Sequence, residues 1–479
     1  MWRLRRAVKT TVERELKLEA DGSLSIDDLG GEPVEPRTFT STYYDTGDGL
    51  LLRLGIQLRR RLEDGANVWQ LKLPREDGRV ELEVDGVPGD PPSELAEVLR
   101  AALDGRHLRP VATLRTRRSG RRVDGAEVTL DSVEVLDGQR VASRFTEIEA
   151  ELVADEPRRL AALERRLCKA GARATDGRSK LRRVLDPAEP EHPGKRAPAV
   201  AQVRALLRAQ YEQLLRHDPG VRVGGEPEDV HAMRVAVRRL RAVLRAARPM
   251  LDPEWVEGLR AELDWLGDHL APVRDLDVLS AYLDGELISL PSRDAAAGRR
   301  LLEPLNEDHE KARGALLEAL DTDRYLRLLS ALDAAATAPR VRKSDIAVEE
   351  LARKEFRRLR KFRRRLGTDP SDADLHKLRI GGKRARYAAE LAGSARGGAA
   401  TGFIARAEEF QDVVGEHQDA IVAEKVVRDL AARTRGAGAS LAAGRLVERQ
   451  QDRRRRARDA YPKAWKRLRR AGDRAWRRG

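Results

Sequence analysis

The sequence is poor in the residues that would tie it together covalently or hold it in a bilayer. Cys168 is the only cysteine among 479 residues, which excludes an intrachain disulfide and a cysteine-ligated zinc site and points to a reducing compartment. No window approaches the roughly 20 apolar residues that a membrane-spanning helix needs. The arginines of residues 1–10 are not followed by the apolar run of a signal peptide. A cytoplasmic protein with no membrane partner is therefore expected. Aromatic residues make up only 4%, leaving few rings on which nucleic-acid bases would stack, so a nucleic-acid partner is not expected. Charged residues are abundant at 36%, yet 41% hydrophobic content suffices for globular folding. A chain of this length predicts two or three domains.

The charge is unevenly placed. Residues 1–200 carry 36 Lys and Arg against 36 Asp and Glu, whereas residues 201–479 carry 57 against 43, so the whole formal excess of +14 lies in the second part. A polyanion-binding surface is expected there, and an anion site in the neutral part has to be a local cluster.

From Thr11 to about Leu152 apolar and polar residues alternate at period two between Gly, Asp and Pro breaks, the pattern of antiparallel β-structure. Eight strands are predicted near 11–19, 38–46, 52–62, 67–74, 79–85, 111–122, 127–136 and 141–153, with helices over 92–103 and 157–170. A polar, proline-rich stretch over 186–200 reads as a linker. After it, Ala/Leu/Arg segments with helical spacing run to the end.

Along the predicted strands, charges of both signs share faces. Glu13, Glu15 and Lys17 align, as do Arg59 with Arg61, Arg79 with Glu81 and Glu83, Arg115 with Arg117, and Glu147 with Glu149 and Glu151; Lys72 stands opposite its apolar neighbours. One such face is ordinarily a solvated surface. Here carboxylates gather in the first, fifth and last strands and basic residues in the third, fourth and sixth. If the sheet closes, those charges line a lumen, and a divalent cation with a polyanion are the partners that fit them. That is the apparatus of phosphoryl transfer.

Glu13-x-Glu15-x-Lys17 resembles the ExExK signature of the CYTH superfamily, the triphosphate tunnel metalloenzymes. The similarity runs through Tyr44-Asp45-Thr46, Leu58-Arg59-Arg60-Arg61, Lys72, Arg79 to Glu83, Arg115 with Arg117, Asp131, Glu147-x-Glu149 and Lys180, over about residues 1–185. The resemblance implies an eight-stranded antiparallel tunnel that hydrolyses tripolyphosphate, thiamine triphosphate or nucleoside triphosphates, or cyclises ATP as a class IV-like adenylate cyclase does. It implies Mg²⁺ or Mn²⁺ held by Glu13, Glu15, Glu147 and Glu149, with Asp131 and Glu81 as ligands of a second metal. Lys17, Arg59, Arg61, Lys72, Arg115, Arg117 and Lys180 become the triphosphate cradle, and Glu13, Glu15, Lys17 and Glu81 the catalytic set. Asp131 stands equally well as a strand-edge residue, and Tyr44 as packing.

The second part repeats itself. His231, Arg234, Arg238 and Arg241 fall on one helical stripe, and His376, Arg379, Lys383 and Arg386 repeat it in register 145 residues later. Two turns, Val273 to Asp277 and Glu416 to Asp419, are predicted some forty residues after each stripe. Other basic runs, Arg357 to Arg365 and Arg453 to Arg458, read as solvated faces. The paired stripes resemble the CHAD domain, the conserved histidine α-helical domain, which implies that these eight residues bind inorganic polyphosphate.

The expected architecture is thus multidomain. An eight-stranded antiparallel β tunnel or barrel of α+β class occupies 1–185, and an all-α domain of two related bundles, about 201–340 and 345–479, follows the linker. The expected function is a metal-dependent triphosphatase joined to a polyphosphate-binding domain, with tripolyphosphate and polyphosphate as partners and association with polyphosphate granules. A non-catalytic polyphosphate binder is the alternative from another class.

Overall fold

The computed structural model describes all residues except 1–8, 14, 21–25, 76–77, 153–156, 176–177, 187–192, 195–196, 225, 343–346, 397 and 477–479. The chain divides into two compact units, residues 1–189 with 218–225 and residues 190–217 with 226–479. Both are described separately below.

The first unit is built on one antiparallel sheet. Its strands are β1 (Lys9–Glu13), β2 (Glu15–Ala20), β3 (Glu32–Thr46), β4 (Gln57–Glu63), β5 (Ala66–Arg75), β6 (Gly78–Asp85), β7 (Leu108–Val123), β8 (Ala126–Asp137), β9 (Arg140–Leu152) and β10 (Ala172–Ala174). The hydrogen-bonded order is β1-β6-β5-β4-β3-β7-β8-β9-β2-β10, an open ten-stranded sheet and not the expected closed eight-stranded barrel. The first predicted strand spans two strands, β1, which pairs with β6, and β2, which pairs with β9, while the three-residue β10 adds to β2. Because β1 and β2 are one residue apart in the chain, β1 at one end of the order lies close in sequence to β2, the last strand but one at the other. Arg79 of β6 reaches Glu15 of β2 at 3.1 Å.

The predicted strand over 52–62 also changes at its start. Leu50–Leu54 form a helical turn, α1, between Gly49 and Gly55, both with positive φ, a conformation glycine adopts without a Cβ penalty. The turn is fixed by Asp45, whose carboxylate accepts from the amides of Leu51 and Leu52 at 2.8 and 2.9 Å, and by the Thr46 hydroxyl, which accepts from Leu50 N at 2.9 Å. The Tyr44-Asp45-Thr46 motif therefore caps a helix. Short helices α2 (Ser93–Val98) and α3 (Arg100–Leu103) precede β7, α4 (Pro157–Lys169) follows β9, and α5 (Lys180–Val184) follows β10.

The outer face of β2, β7, β8 and β9 buries Leu18, Val128, Ile148 and Ala150 against Leu163 and Leu167 of α4. The inner face is apolar only at one end, where Tyr43, Leu114, Val133 and Val135 pack with Leu52 of α1 and Leu181 of α5. Beyond that plug the inner face is charged.

The second unit is all helical, with α6 (Ala199–Val223), α7 (Pro227–Ala247), α8 (Pro253–Ile288), α9 (Ser292–Leu320), α10 (Asp323–Thr337), α11 (Val348–Arg364), α12 (Asp372–Arg396), α13 (Gly398–Arg433) and α14 (Ala437–Ala475). Pro227 and Asp372, Pro253 and Gly398, and Ser292 and Ala437 open successive helices at a constant displacement of 145 residues. Antiparallel neighbours α7–α8–α9 and α12–α13–α14 repeat one arrangement, and α7 packs on α12. The segments predicted as turns, Val273 to Asp277 and Glu416 to Asp419, lie inside α8 and α13 instead. Their polar residues meet the neighbouring helix and do not break their own.

Candidate functional site

The charged inner face of the sheet encloses a cavity of about 310 Å³ lined by nine Lys and Arg and five Glu. Its charges separate into two poles. At the first, β2, β7, β8 and β9 set basic and acidic residues opposite one another in register: Lys17 beside Glu149, Arg118 beside Asp131, and Asp131 beside Glu147. Arg118 grips Asp131 with two bonds of 2.7 and 2.6 Å and reaches Glu149 at 2.5 Å. Lys180, from the first turn of α5, lies 2.9 Å from Asp131, 2.5 Å from Glu147 and 2.8 Å from Glu149. Lys17 bonds Glu149 and lies 3.3 Å from Glu15 and 3.6 Å from Glu147.

Burial opposes the charged forms of Lys17 and Lys180, but the surrounding carboxylates, Glu149 foremost, outweigh it and raise both ammonium pKa values. Glu149 responds in kind: burial pushes it up, and Lys17, Lys180 and Arg118 hold it well below the usual carboxylate range. Glu147 goes the other way, raised by burial despite Lys180 and Lys17. A buried charge is tolerated only when paired, and here Lys17, Lys180 and Arg118 supply the partners.

At the second pole cations outnumber carboxylates. Arg59 donates to Gln70 at 2.7 Å and to the Tyr43 hydroxyl at 3.3 Å, and Lys72 lies 3.4 Å from the buried Glu81. Arg61 stacks over Phe39, its guanidinium carbon 4.0 Å from the ring centre, and pairs with Glu63. Burial first, then Arg59, and further Arg37 and Arg118, hold Arg61 below the usual guanidinium range, and Glu63 does not offset them. Such an arrangement is electrostatically short of an anion.

Most of the sequence-predicted residues converge here. Glu15, Lys17, Arg59, Arg61, Lys72, Glu81, Glu149 and Lys180 line the cavity, with Asp131 and Glu147 buried behind them. The side chain of Glu13 lies outside the described residues. Arg115 and Arg117 do not converge: both are exposed on the outer face of β7, where Arg115 donates to Glu134 at 2.8 Å. Arg118, one residue on, points inward in their place, and Arg37 and Gln70 were missed as well. Arg118 had one signal in the sequence, since it shares parity with the buried Leu114 and Thr116.

The carboxylates only partly suit a divalent metal. Arg118, Lys180 and Lys17 engage Asp131, Glu147 and Glu149, as Lys17 and Arg79 engage Glu15, and among the described residues no three Asp, Glu, His or Cys side chains form a metal cage. Glu15 and Glu151, register partners on β2 and β9 that both line the cavity, supply the hard oxygens such an ion takes.

The helical unit has its own basic cavity of about 850 Å³, walled by α7, α8, α11 and α12, where ten Lys and Arg face two glutamates, Glu257 and Glu355. Three of the eight stripe residues line it: Arg238, Arg241 and Lys383. Lys383 joins the two stripes, for burial and then Arg379, Arg238, Arg234 and Arg386 push its ammonium down to about 7. The remaining stripe residues are placed outside the wall. Arg234 pairs with Asp275 at 2.5 Å, Arg386 lies 3.3 and 3.4 Å from Glu390 and Glu408, and His376 meets Gln418 at 3.2 Å. Burial and then Arg274 keep His231 below its ordinary range, and Arg379 acts on the exposed Asp419. Arg245, Arg248, Arg260, Arg342, Lys354, Arg358 and Arg384 complete the ten and were missed. Arg358 belongs to a run expected to be solvated, and it remains exposed while lining the cavity.

A family model of the CYTH domain matches residues 9–185, and one of the CHAD domain matches residues 205–428. The uncharacterized proteins Rv2226 and MT2285 of Mycobacterium tuberculosis are each 30% identical over 469 residues, 89% of either chain. Similar solved structures include PptA from Streptomyces chartreusis, at 24% identity, TM-score 0.49, covering 56% of this chain and all of that one. The CHAD domain from the plant Ricinus communis is similar at 27% identity and TM-score 0.47, covering 58% of this chain and 94% of that one. The chain belongs to the family that joins a CYTH domain, the fold of the metal-dependent triphosphate tunnel enzymes, to a CHAD domain.

Proposed function

We propose that the first domain hydrolyses a triphosphate, inorganic tripolyphosphate or a related one, and that the helical domain binds inorganic polyphosphate. The observation that carries the first half is the cavity lining, where nine Lys and Arg, among them Arg37, Arg59, Arg61 and Lys72, stand against five Glu. A triphosphate there pairs its oxygens with these forks and with Lys17 and Lys180. Glu15 and Glu151, with Glu13 two residues before Glu15 in sequence, would hold a divalent ion, which would supply charge neutralisation at the reacting phosphate. The chain's own part is positioning. Arg118 and Lys180 fix Asp131, Glu147 and Glu149, and so keep Lys17 aimed into the cavity; Glu81 holds Lys72. The wall of apolar residues at one end excludes water from that end.

The occupied carboxylates favour a second reading, a tunnel that holds a polyanion without turnover. One assay separates the two. Phosphate release from tripolyphosphate with Mg²⁺ or Mn²⁺ is expected to vanish with chelator and to drop at least about 100-fold in Glu15→Ala or Glu13→Ala. Tight binding with no metal-dependent product would leave only the binder. For the helical half, the ten-to-two charge ratio of the cavity supports polyphosphate capture.

A further inference from the structure

Apart from the basic cavity, four arginines form a separate cleft of about 340 Å³ between α13 and α14. Arg467, Arg470 and Arg474 follow at i, i+3 and i+7, along one face of α14, and Arg406 of α13 completes the wall. All four are exposed. Among the described residues the one carboxylate that pairs with any of them is Glu409, which bonds Arg406 and lies 3.7 Å from Arg467. Asp473, next to Arg474 in the chain, turns instead to Arg360 of α11 at 2.5 Å.

The cluster is held in place. Phe403 of α13 stacks edgewise on Phe356 of α11 and on Trp476, with ring centres 5.3 and 5.8 Å apart. Gly472 lies so close to Phe356 that a Cβ would come within 2.1 Å of the ring. α14 is thereby clamped on its inner side, and its arginines stand together on the outer one. Four guanidinium groups fixed beside one glutamate repel each other unless an anion joins them.

The duplication does not account for the cluster. At the displacement of 145 the matching positions are Ala261, Thr322, Tyr325 and Leu329, where Thr322 caps α10 and Tyr325 and Leu329 are buried. Three of the four arginines also lie beyond residue 428, where the CHAD match ends.

We propose that this cleft is a second anion site, taking a further segment of the same linear phosphate chain whose other segment occupies the basic cavity. The proposal rests on the polyphosphate reading above. Arginine forks pair with phosphate oxygens two at a time. Bases have no exposed ring to stack on here, because Phe403 and Trp476 are buried, so a uniform phosphate chain fits better than a nucleic acid. One chain on two sites raises affinity through effective concentration, and only when it is long enough to reach both.

The test is binding of short and long polyphosphate to the full chain and to the triple variant Arg467→Gln/Arg470→Gln/Arg474→Gln, with the helical content of both checked by circular dichroism. Long chains are expected to lose about ten-fold in affinity or more, and short chains to lose nothing measurable. A second variant, Arg238→Gln/Arg245→Gln, weakens the cavity; long chains should still bind it, and adding the triple change should remove that residue of binding. Equal affinity of wild type and triple variant at every chain length overturns the site. So does a triple variant that loses RNA binding but keeps long polyphosphate. If the wild type binds no polyphosphate of any length, the polyphosphate reading itself fails and this site fails with it.

Discussion

Lys180 in the tunnel and Lys383 in the helical cavity are both lysines held inside their domains, and their surroundings drive them in opposite directions. Around Lys180 stand Asp131, Glu147 and Glu149, which raise its pKa against the cost of burial. Around Lys383 stand Arg379, Arg238, Arg234 and Arg386, which add to that cost and bring it down to about 7. The tunnel therefore spends its cations partly on its own carboxylates, and the neutral charge count of residues 1–200 is the sum of such pairings. The helical cavity keeps an excess of cations, ten Lys and Arg beside Glu257 and Glu355, although Arg241, Arg248, Arg260 and Arg358 each pair with a carboxylate.

The largest effect expected from this contrast is on stability. Lys180→Met removes one partner from each of the buried Asp131 and Glu147 and the half-buried Glu149, and breaking a buried ion pair on one side costs roughly 3–5 kcal/mol. Urea unfolding of the full chain should show the first domain's transition shifted by that much, with tripolyphosphate hydrolysis lost. Lys383→Met should do the reverse and stabilise its domain, because it removes a charge from an arginine cluster. A neutral outcome for Lys180→Met would mean that the first pole is not the ion-paired core described here.

A smaller effect separates the two lysines by pH. Lys383 has a folded pKa near 7 and an unfolded one of about 10.4. Between those values the unfolded chain binds the extra proton, so the stability of the helical domain rises with pH through this window. Below about 7 the penalty is fully present. Polyphosphate favours the protonated form, so its affinity is expected to fall some three- to ten-fold between about pH 6 and pH 9 in wild type. Lys383→Arg, which keeps its charge throughout, should flatten that dependence. Isothermal titration in buffers of different ionisation heat reads the same linkage as proton uptake on binding above pH 7. Absence of uptake would place the Lys383 ammonium among ordinary lysines.

Much of this was legible in the sequence because period-two and helical patterns report which residues share a face. Glu15, Lys17, Arg59, Arg61 and Lys72 were read onto one face and do line one cavity. The constant displacement of the two stripes was visible, and the helices that carry them do pack together. What the sequence concealed was pairing. Nothing local says that Asp131 meets Arg118 on the next strand, nor that three carboxylates whose residue types suit a metal stand paired with Arg118, Lys17 and Lys180. Nor does the leucine run at 50–54 announce a helix, because its cause is the Asp45 carboxylate several residues earlier. The basic cavity was seen only along α7 and α12, since Arg358 and Lys354 join it through tertiary packing of a helix whose sequence reads as solvated.

The smallest expected effect tests that limit on one strand. Leu114-Arg115-Thr116-Arg117-Arg118 contains basic residues at both parities, so alternation alone cannot say which face enters the tunnel. The structure gives the inner face to Leu114, Thr116 and Arg118, with Leu114 fully buried in the plug and Thr116 buried beside it. Arg115 is spent on Glu134 outside, and exposed pairs of that kind contribute about 0–1 kcal/mol. Arg115→Ala and Arg117→Ala should therefore leave tripolyphosphate KM and kcat within about two-fold of wild type, because neither side chain reaches the substrate. Arg118→Ala, one residue along, should unfold the first domain more readily and abolish turnover. A loss of activity in Arg117→Ala with Arg118→Ala unaffected would mean that β7 is shifted by one residue in register, which would turn every side chain of that strand to the other face.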